Sequence, residues 1–394
     1  MKWTDSQADA IEAVVTWYND SAARKEPFRL FGYAGSGKTT LAKYIVEALG
    51  VYAIFAAFTG KAASVLRRSG CPLATTLHSL MYQPKDKSRE GLRKLQVAQA
   101  SAENPSAEYD RLEYLITEEK KKLKQPSFSL LGESDIEEAD LVVVDEVSMV
   151  NTKMGEDLLS FGTPVLVLGD PGQLPPPFGG GYFTNAEPNV MLTEIHRQAK
   201  NNPIIEMATM AREGTRIPEG EYGASRVQSG LKKEEALAYD QALCWTNKTR
   251  RETNARFRDL QGRTSPFPEA GERLVCLKNN HKKALLNGSI WHVMETPHDV
   301  DDQLHVWIES EEGEVQYVAM YKAPFIGEEL HPWDQYAERF DFGYCLTVHK
   351  SQGSQWKKVL LFDESSRMKN QTERRGWLYT GITRASEELL IVRD

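Results

Sequence analysis

Gly32-Tyr33-Ala34-Gly35-Ser36-Gly37-Lys38-Thr39 matches G-x-x-x-x-G-K-[ST], the phosphate-cradling P-loop. Its surroundings suit that reading. Phe28-Arg29-Leu30-Phe31 can form a short strand entering the loop. Thr39 to Leu49 has helical periodicity, with Leu41, Ile45 and Leu49 on one face and Gly50 placed to end it. Glycines let backbone approach phosphate oxygens, and a helix start aims N–H groups and partial positive charge at them. The stretch Gly35, Ser36, Gly37, Lys38, Thr39 and Thr40 is therefore the expected cradle for a nucleotide's phosphates. Lys38 would reach the β- and γ-phosphates and Thr39 would sit on Mg²⁺.

Outward from the loop, the pattern is one of alternating strands and helices. Val51 to Phe58 is an apolar, β-rich run, and Ala62 to Arg68 turns helical. Leu141-Val142-Val143-Val144 and Val165-Leu166-Val167-Leu168 are short continuous apolar runs, as buried parallel strands are. The fold class expected is α/β with a parallel, doubly wound sheet. The 394 residues exceed what one core sustains, so two or three domains are expected. Ala242-Leu243-Cys244-Trp245 and the helical Thr249 to Leu260 open a second α/β unit. Phe342 to Val348, Lys358 to Phe362 and Leu389 to Val392 are its expected returning strands.

Two segments break the alternation. Residues 84–127 are polar and charged, with Leu92, Leu95, Ala98 and Ala102, then Tyr109, Leu112, Leu115 and Ile116, at helical spacing. They predict an inserted helical hairpin, with Asn104-Pro105 as cap and first-turn proline. From residue 271 the style changes to short alternating strands: Arg273 to Leu277, Ser289 to Glu295, Leu304 to Glu309 and Val315 to Met320. Asn287-Gly288 and Glu312-Gly313 are the turn signals between them, which predicts a small inserted β-barrel.

Composition limits the function classes. Hydrophobic content of 41% and charged content of 26% are those of an ordinary globular protein. Cys71, Cys244, Cys276 and Cys345 are far apart and suggest neither a disulfide framework nor a zinc site. No apolar leader or membrane-length apolar run is present, so a cytoplasmic location and no membrane partner are expected. A net charge of −8 argues against nucleic-acid binding through general basicity. A local groove of a few cations and aromatics stays compatible with it.

Asp145-Glu146 follows the 141–144 strand directly. A carboxylate at the end of a parallel strand beside a P-loop is where Mg²⁺ is held, which assigns Asp145 to the metal. Glu146 would orient and deprotonate the attacking water. Gln173, in Gly169-Asp170-Pro171-Gly172-Gln173-Leu174-Pro175-Pro176, can contact the γ-phosphate. An acidic strand end facing solvent and a proline-rich turn are the plain structural alternatives.

Val144-Asp145-Glu146-Val147-Ser148-Met149 and Gly169-Asp170 with Gln173-Leu174-Pro175 resemble motifs II and III of superfamily 1 helicases, and are most similar to the Dda and RecD-like group. Gln7 fits that family's adenine-contacting glutamine. Thr59-Gly60-Lys61-Ala62-Ala63 resembles motif Ia, and Thr76-Leu77-His78 motif Ib. Leu192 to Gln198 resembles motif IV, Thr347-Val348-His349-Lys350-Ser351-Gln352-Gly353 motif V, and Leu378 to Ala385 motif VI. The blocks follow the family's order over roughly residues 3–83, 128–200 and 241–394.

The resemblance implies two tandem RecA-like domains, 1–198 and 199–394, with the second insertion (271–335) an SH3-like barrel. It implies an ATP-dependent, Mg²⁺-using DNA helicase that moves 5′ to 3′, acts on single-stranded DNA and its junctions with duplex, and works as a monomer. Arg384 and Arg197 would stabilise charge on the γ-phosphate, and Gln352 and Gly353 would line the nucleotide. Thr59, Lys61, His78, Thr347, His349 and Lys350 are the implied DNA contacts. Relatives carry a short strand-splitting β-hairpin between motifs Ib and II. The longer helical segment here yields no pin residue, and Lys120, Lys121, Lys122 and Lys124 crowd one end of it.

Four alternatives stand beside this reading. A GTPase reading of Asn247-Lys248-Thr249-Arg250 fails because Arg250 stands where an Asp is needed. An RNA-directed helicase stays open, since a single-strand track does not display a 2′-OH preference in sequence. So does a DNA-stimulated ATPase without processive unwinding. A vestigial ATP site is disfavoured by the intact set Lys38, Asp145, Glu146 and Arg384. Replication or recombination proteins as partners cannot be identified from sequence.

Overall fold

The computed structural model describes residues 3–84, 90–102, 104–124, 128–175, 181–194, 202–328, 330 and 336–393. The first half opens with α1 (Asp5–Asn19), started by a capping box between Thr4 and Gln7. There follow β1 (Phe28–Gly32), α2 (Lys38–Leu49), β2 (Ala53–Ala57), α3 (Gly60–Arg68), β3 (Thr75–Thr76) and α4 (Leu77–Met81). Gly50 takes a left-handed φ of 66° and ends α2. Leu41 and Ile45 on that helix are fully buried, each contributing about 1.5–3 kcal/mol.

The chain then leaves the sheet. β4 (Tyr82–Pro84) and β5 (Phe128–Leu130) pair antiparallel as a two-stranded root. Between them rise α5 (Glu90–Ser101) and α6 (Ala107–Lys124), the expected helical hairpin. Its apolar stripe is thin: of the residues named from its spacing, only Ile116 is buried. The cap of α6 differs from expectation. Ser106 Oγ accepts the Tyr109 N–H at 3.1 Å, so a serine two residues after Asn104 does the capping.

After α7 (Asp135–Glu138) come β6 (Leu141–Asp145), α8 (Thr152–Leu159), β7 (Val165–Gly169) and β8 (Val190–Leu192). The sheet order is β3-β2-β6-β7-β1-β8, and every pairing is parallel. All of β7 and all of β6 except Asp145 are buried, which is why both read as unbroken apolar runs.

The second half comprises α9 (Pro203–Glu213), β9 (Gly220–Tyr222), β10 (Ser225–Ser229), α10 (Lys233–Ala236), β11 (Gln241–Cys244) and α11 (Asn247–Leu260). An insertion follows: β12 (Arg273–Cys276), β13 (Ile290–Val293), β14 (His298–Val300), β15 (Gln303–Ser310), β16 (Val315–Tyr321) and β17 (Phe340–Phe342). The chain returns with β18 (Cys345–Thr347), β19 (Trp356–Asp363), α12 (Gln371–Ile382) and β20 (Ala385–Arg393). The parent sheet runs β18-β11-β19-β20-β10-β9 and is antiparallel only at its β9–β10 edge. The edge strands β8 and β9, and β10 beside β9, carry no long apolar run, so periodicity does not mark them.

The inserted strands pair antiparallel as β14-β15-β13-β12-β17, with β16 on the other side of β15. A bridge from Met320 to Glu338, just before β17, curls this sheet back on itself. Phe342, expected in the parent sheet, instead pairs with Leu274 of β12. The switch is at Gly343, where a Cβ would lie 2.9 Å from the Leu274 carbonyl carbon, so only glycine lets the chain pass. A buried ion pair roots the insertion on α11: Arg258 Nε and Nη2 donate to the two Glu272 carboxylate oxygens at 2.7 and 3.0 Å. Among the described residues no helix is long and apolar enough to cross a membrane.

Candidate active site

β6, β7 and β1 are neighbours running the same way, so their C-terminal ends bring three loops to one sheet edge. These are the P-loop after β1, Asp145-Glu146 ending β6, and Asp170 to Leu174 after β7. Gly35 and Gly37 have φ of 80° and 78°, a left-handed region that suits glycine. Lys38 Nζ donates to the carbonyls of Gly32 and Tyr33 at 2.6 and 3.2 Å. Thr40 is exposed on the first turn of α2, while Ser36 is buried. Gln7, expected at the adenine, is buried. Its Nε2 donates to the Ser36 carbonyl at 3.2 Å, and its Oε1 accepts the Thr4 N–H at 3.2 Å, fastening α1 to the P-loop.

Thr39 Oγ1 donates to Asp145 Oδ2 at 2.7 Å. Burial first, then the adjacent Glu146, pushes the Asp145 carboxyl above its usual range, against the pull of Thr39 and Lys38. This pair of hard oxygen donors fits Mg²⁺. Among the described residues no cluster of three acidic, His or Cys side chains could cage a metal, so a nucleotide's phosphates and water would supply the other ligands. Glu146 has φ 55°, a left-handed conformation costing a non-glycine residue about 1–3 kcal/mol.

The second half closes on this edge. Tyr379, on α12, donates from its hydroxyl to Asp170 Oδ2 at 2.6 Å and accepts the Ala34 N–H of the P-loop at 2.9 Å. Burial, then Asp170, raises the Tyr379 phenol, and burial raises the Asp170 carboxyl. Thr380 Oγ1 accepts the Leu174 N–H at 3.0 Å, and Gln352 Nε2 donates to the Leu174 carbonyl at 3.0 Å. The side-chain oxygens of Gln173 and Gln352 are buried without a hydrogen-bond partner among the described residues. Orphaned buried acceptors at this seam suit a donor brought by a ligand or water.

The arginines divide. Arg384 is buried and donates to the Thr380 and Ser354 carbonyls and the Thr383 hydroxyl at 3.1, 3.1 and 3.2 Å, all within the second half. Arg197 lies outside the described residues. Among the described residues a guanidinium that does reach the P-loop is that of Arg212, on α9, whose Cζ lies 3.5 Å from the Tyr33 ring centroid. Sequence reasoning missed it, and missed the role of the Tyr379 hydroxyl, because neither has a local signal.

Two of the expected DNA contacts, Thr59 and Lys61, meet the second half. Thr59 Oγ1 caps α3 through the Ala62 N–H at 3.1 Å, and a Cβ on the left-handed Gly353 would lie 2.6 Å from that oxygen. Lys61 Nζ pairs with Glu311 at 3.0 Å and Glu312 at 3.9 Å, in the β15–β16 turn. Ser64 and Arg68 meet Glu312 at 3.0 and 3.4 Å. His78 packs edge-on to Phe128 at 4.3 Å and against Tyr82 at 4.9 Å, at the hairpin root. Thr347 Oγ1 accepts the Lys350 N–H at 3.3 Å, shaping the turn that carries His349. Burial, against the pull of Glu373, holds the His349 imidazole below its ordinary value and so favours the neutral ring.

Comparison with known proteins adds the following. A family model described as an AAA domain matches residues 2–227, and one described as a UvrD-like helicase C-terminal domain matches residues 342–392. The chain is 27% identical over 391 residues to the ATP-dependent RecD2 DNA helicase of Deinococcus radiodurans, spanning 91% of this chain and 46% of that protein. It is 29% identical over 226 residues to the ATP-dependent DNA helicase dda of Enterobacteria phage T4, spanning 54% of this chain and 43% of that one. The chain thus spans under half the length of these curated relatives. The Pif1 helicase from Candida albicans superposes with a TM-score of 0.55 at 19% identity, covering 100% of this chain and 94% of that one. A Bacteroides Pif1 bound to single-stranded DNA does so with 0.54 at 19%, covering 99% and 92%. The fold shared with these structures is a RecA-like helicase core.

Proposed function

The chain belongs to the AAA domain family, and from that premise we propose that it hydrolyses ATP to move 5′ to 3′ along single-stranded DNA and to open duplex DNA. The names of the relatives, ATP-dependent DNA helicases, support the activity; the polarity rests on the motif resemblance. The observation that carries the proposal is the seam. The P-loop, Asp145, Glu146 and Gln173 face α12 and the Gln352 loop, joined by the Tyr379, Thr380 and Gln352 hydrogen bonds.

In this reading Lys38 and the P-loop amides hold the β- and γ-phosphates, and Gln7, Gln352 and Gly353 flank the nucleotide. Thr39 and Asp145 would hold Mg²⁺, which when bound neutralises phosphate charge. Glu146 orients and deprotonates the attacking water, Gln173 reports the γ-phosphate, and Arg384 with Arg197 stabilises the charge that develops. Groups from both halves are needed at once, so each ATP cycle changes how the halves sit, and a track spanning both converts that change into a step. Thr59, Lys61, His78, Thr347, His349 and Lys350 form the track, with rings stacking bases and amides, hydroxyls and ammonium groups holding phosphates. We divide the chain into RecA-like units 1–198 and 199–394. The 84–127 arm belongs to the first, and an SH3-like barrel starting at 271 and ending with β17 belongs to the second. The protein acts as a cytoplasmic monomer on single strands and fork junctions.

The test is ATP hydrolysis with and without single-stranded DNA or RNA of one sequence. DNA should stimulate turnover strongly and RNA weakly. Turnover indifferent to both would refute the translocase reading, and preferential stimulation by RNA would redirect it to RNA.

A further inference from the structure

Tyr33 and Ala34, two consecutive P-loop residues, are each held by a different helix of the second half. The Arg212 guanidinium lies over the Tyr33 ring with its Cζ 3.5 Å from the centroid. Its ion-pair partner is its neighbour Glu213, at 3.4 Å and 59% exposed, a weak competitor for the cation. The Tyr379 hydroxyl accepts the Ala34 N–H and donates to Asp170 Oδ2. The carbonyl of Tyr33, with that of Gly32, in turn accepts from Lys38 Nζ.

The two helices that carry these groups are packed together. Met207, Ala208 and Ala211 of α9 share a core with Trp377, Leu378 and Ile382 of α12. At the end of α9, Gly214 has φ 77°, and a Cβ there would sit 2.3 Å from Arg375 Nε of α12. Glycine therefore ends α9, and a side chain there would only push the exposed Arg375 guanidinium aside. Arg212, two residues earlier, and Tyr379, one turn after Arg375, are presented by one packed unit.

We propose that Arg212 and Tyr379 are positioning residues of the nucleotide site, a two-point clamp through which the second half sets Tyr33 and Ala34 and, through the Tyr33 carbonyl, the ammonium of Lys38. The proposal rests on the ATPase reading above. It goes beyond that reading by making the P-loop's own conformation depend on α9 and α12. A rotation of that unit would shift the ring, the Ala34 amide and the carbonyl cage of Lys38 together. The cation over Tyr33 and the hydroxyl on Ala34 each contribute, so each can be removed alone.

The experiment is single-strand-stimulated ATP hydrolysis, with kcat and KM for ATP separated, alongside melting temperature. Arg212→Gln should lower kcat about five- to thirtyfold, the range that a cation–π contact of about 1–2 kcal/mol converts to. Tyr33→Ala should do the same, and the double variant should be little worse than either single. Arg212→Lys and Tyr33→Phe, which keep a cation and a ring, should recover most of the loss. Tyr379→Phe keeps the packed ring and should lower kcat about tenfold or more, with a melting temperature near that of the parent. Multiplicative losses in the double variant, or unchanged kcat in Arg212→Gln and Tyr379→Phe with only the melting temperature lowered, would overturn the clamp. A parent without ATPase activity overturns the clamp and the functional reading together; an active parent with indifferent variants overturns the clamp alone.

Discussion

Lys38 holds its ammonium between two carbonyls of its own loop. Its removal therefore costs the fold no more than modest hydrogen bonds, about 1 kcal/mol each, while it strips the proposed phosphate site of its cation. Lys38→Ala should abolish ATP hydrolysis and lower the melting temperature by only a few degrees; parent-like turnover would refute the site. Arg384 differs. It is buried and ties the end of α12, at the Thr380 carbonyl, to the Ser354 carbonyl. Arg384→Ala should lose about 10³–10⁵-fold in turnover, as finger arginines elsewhere do, and stability as well. ATP affinity should persist, because Lys38 and the loop amides remain. A titration of a fluorescent ATP analogue decides it: affinity falling in parallel with turnover would mean that Arg384 only supports the fold.

Elements carry different questions. The α5–α6 hairpin stands on the β4–β5 ribbon and buries little, so it contributes little to the core. Replacing residues 88–124 by a short Gly-Ser bridge should spare DNA-stimulated ATPase and reduce the duplex opened per ATP. Each base-pair step costs about 1.4 kcal/mol of stacking to open, which makes a wedge or grip there useful. Equal unwinding per ATP in the deletion protein would remove the arm from strand separation. The β15–β16 turn raises the opposite issue, since Glu311 and Glu312 occupy Lys61 and Arg68 as phosphates would. Glu311→Gln with Glu312→Gln should tighten single-strand binding a few-fold, the scale of exposed ion pairs worth about 0.2–1 kcal/mol each. It should also steepen the salt dependence by roughly 0.7 in slope per phosphate gained. Unchanged affinity and slope would make the turn a packing contact only.

For the whole molecule, the nucleotide seam and the Thr59–Gly353 contact lie between the same two halves. Movement at one is therefore movement at the other, which is the geometric condition for a motor. In the proposed translocase, direction depends on which half grips the strand while the other moves. A duplex with only a 5′ single-stranded tail should be opened and its 3′-tailed counterpart left intact, read as strand release on a native gel. The reverse preference would refute the subgroup assignment and leave the helicase reading standing.

The amino-acid sequence alone determined the features whose signals are local. The P-loop is one run of eight residues, and Asp145 is marked by the four-residue apolar run before it. The helical hairpin announces itself by spacing, and both sheets by alternation. Tertiary structure decided what depends on residues far apart in the chain. Tyr379 meets Asp170 across 209 positions, and Lys61 meets Glu311 across 250. The pairing of Arg212 with Tyr33 exists only because α9 and α12 pack against each other and the first half. The end of the inserted sheet was misplaced for a similar reason. Phe340 to Phe342 and Cys345 to Thr347 are both buried strands, and only the backbone of Leu274 passing beside Gly343 makes the chain change sheets between them. Periodicity reports which face of an element is apolar; it carries no information about which distant element covers that face.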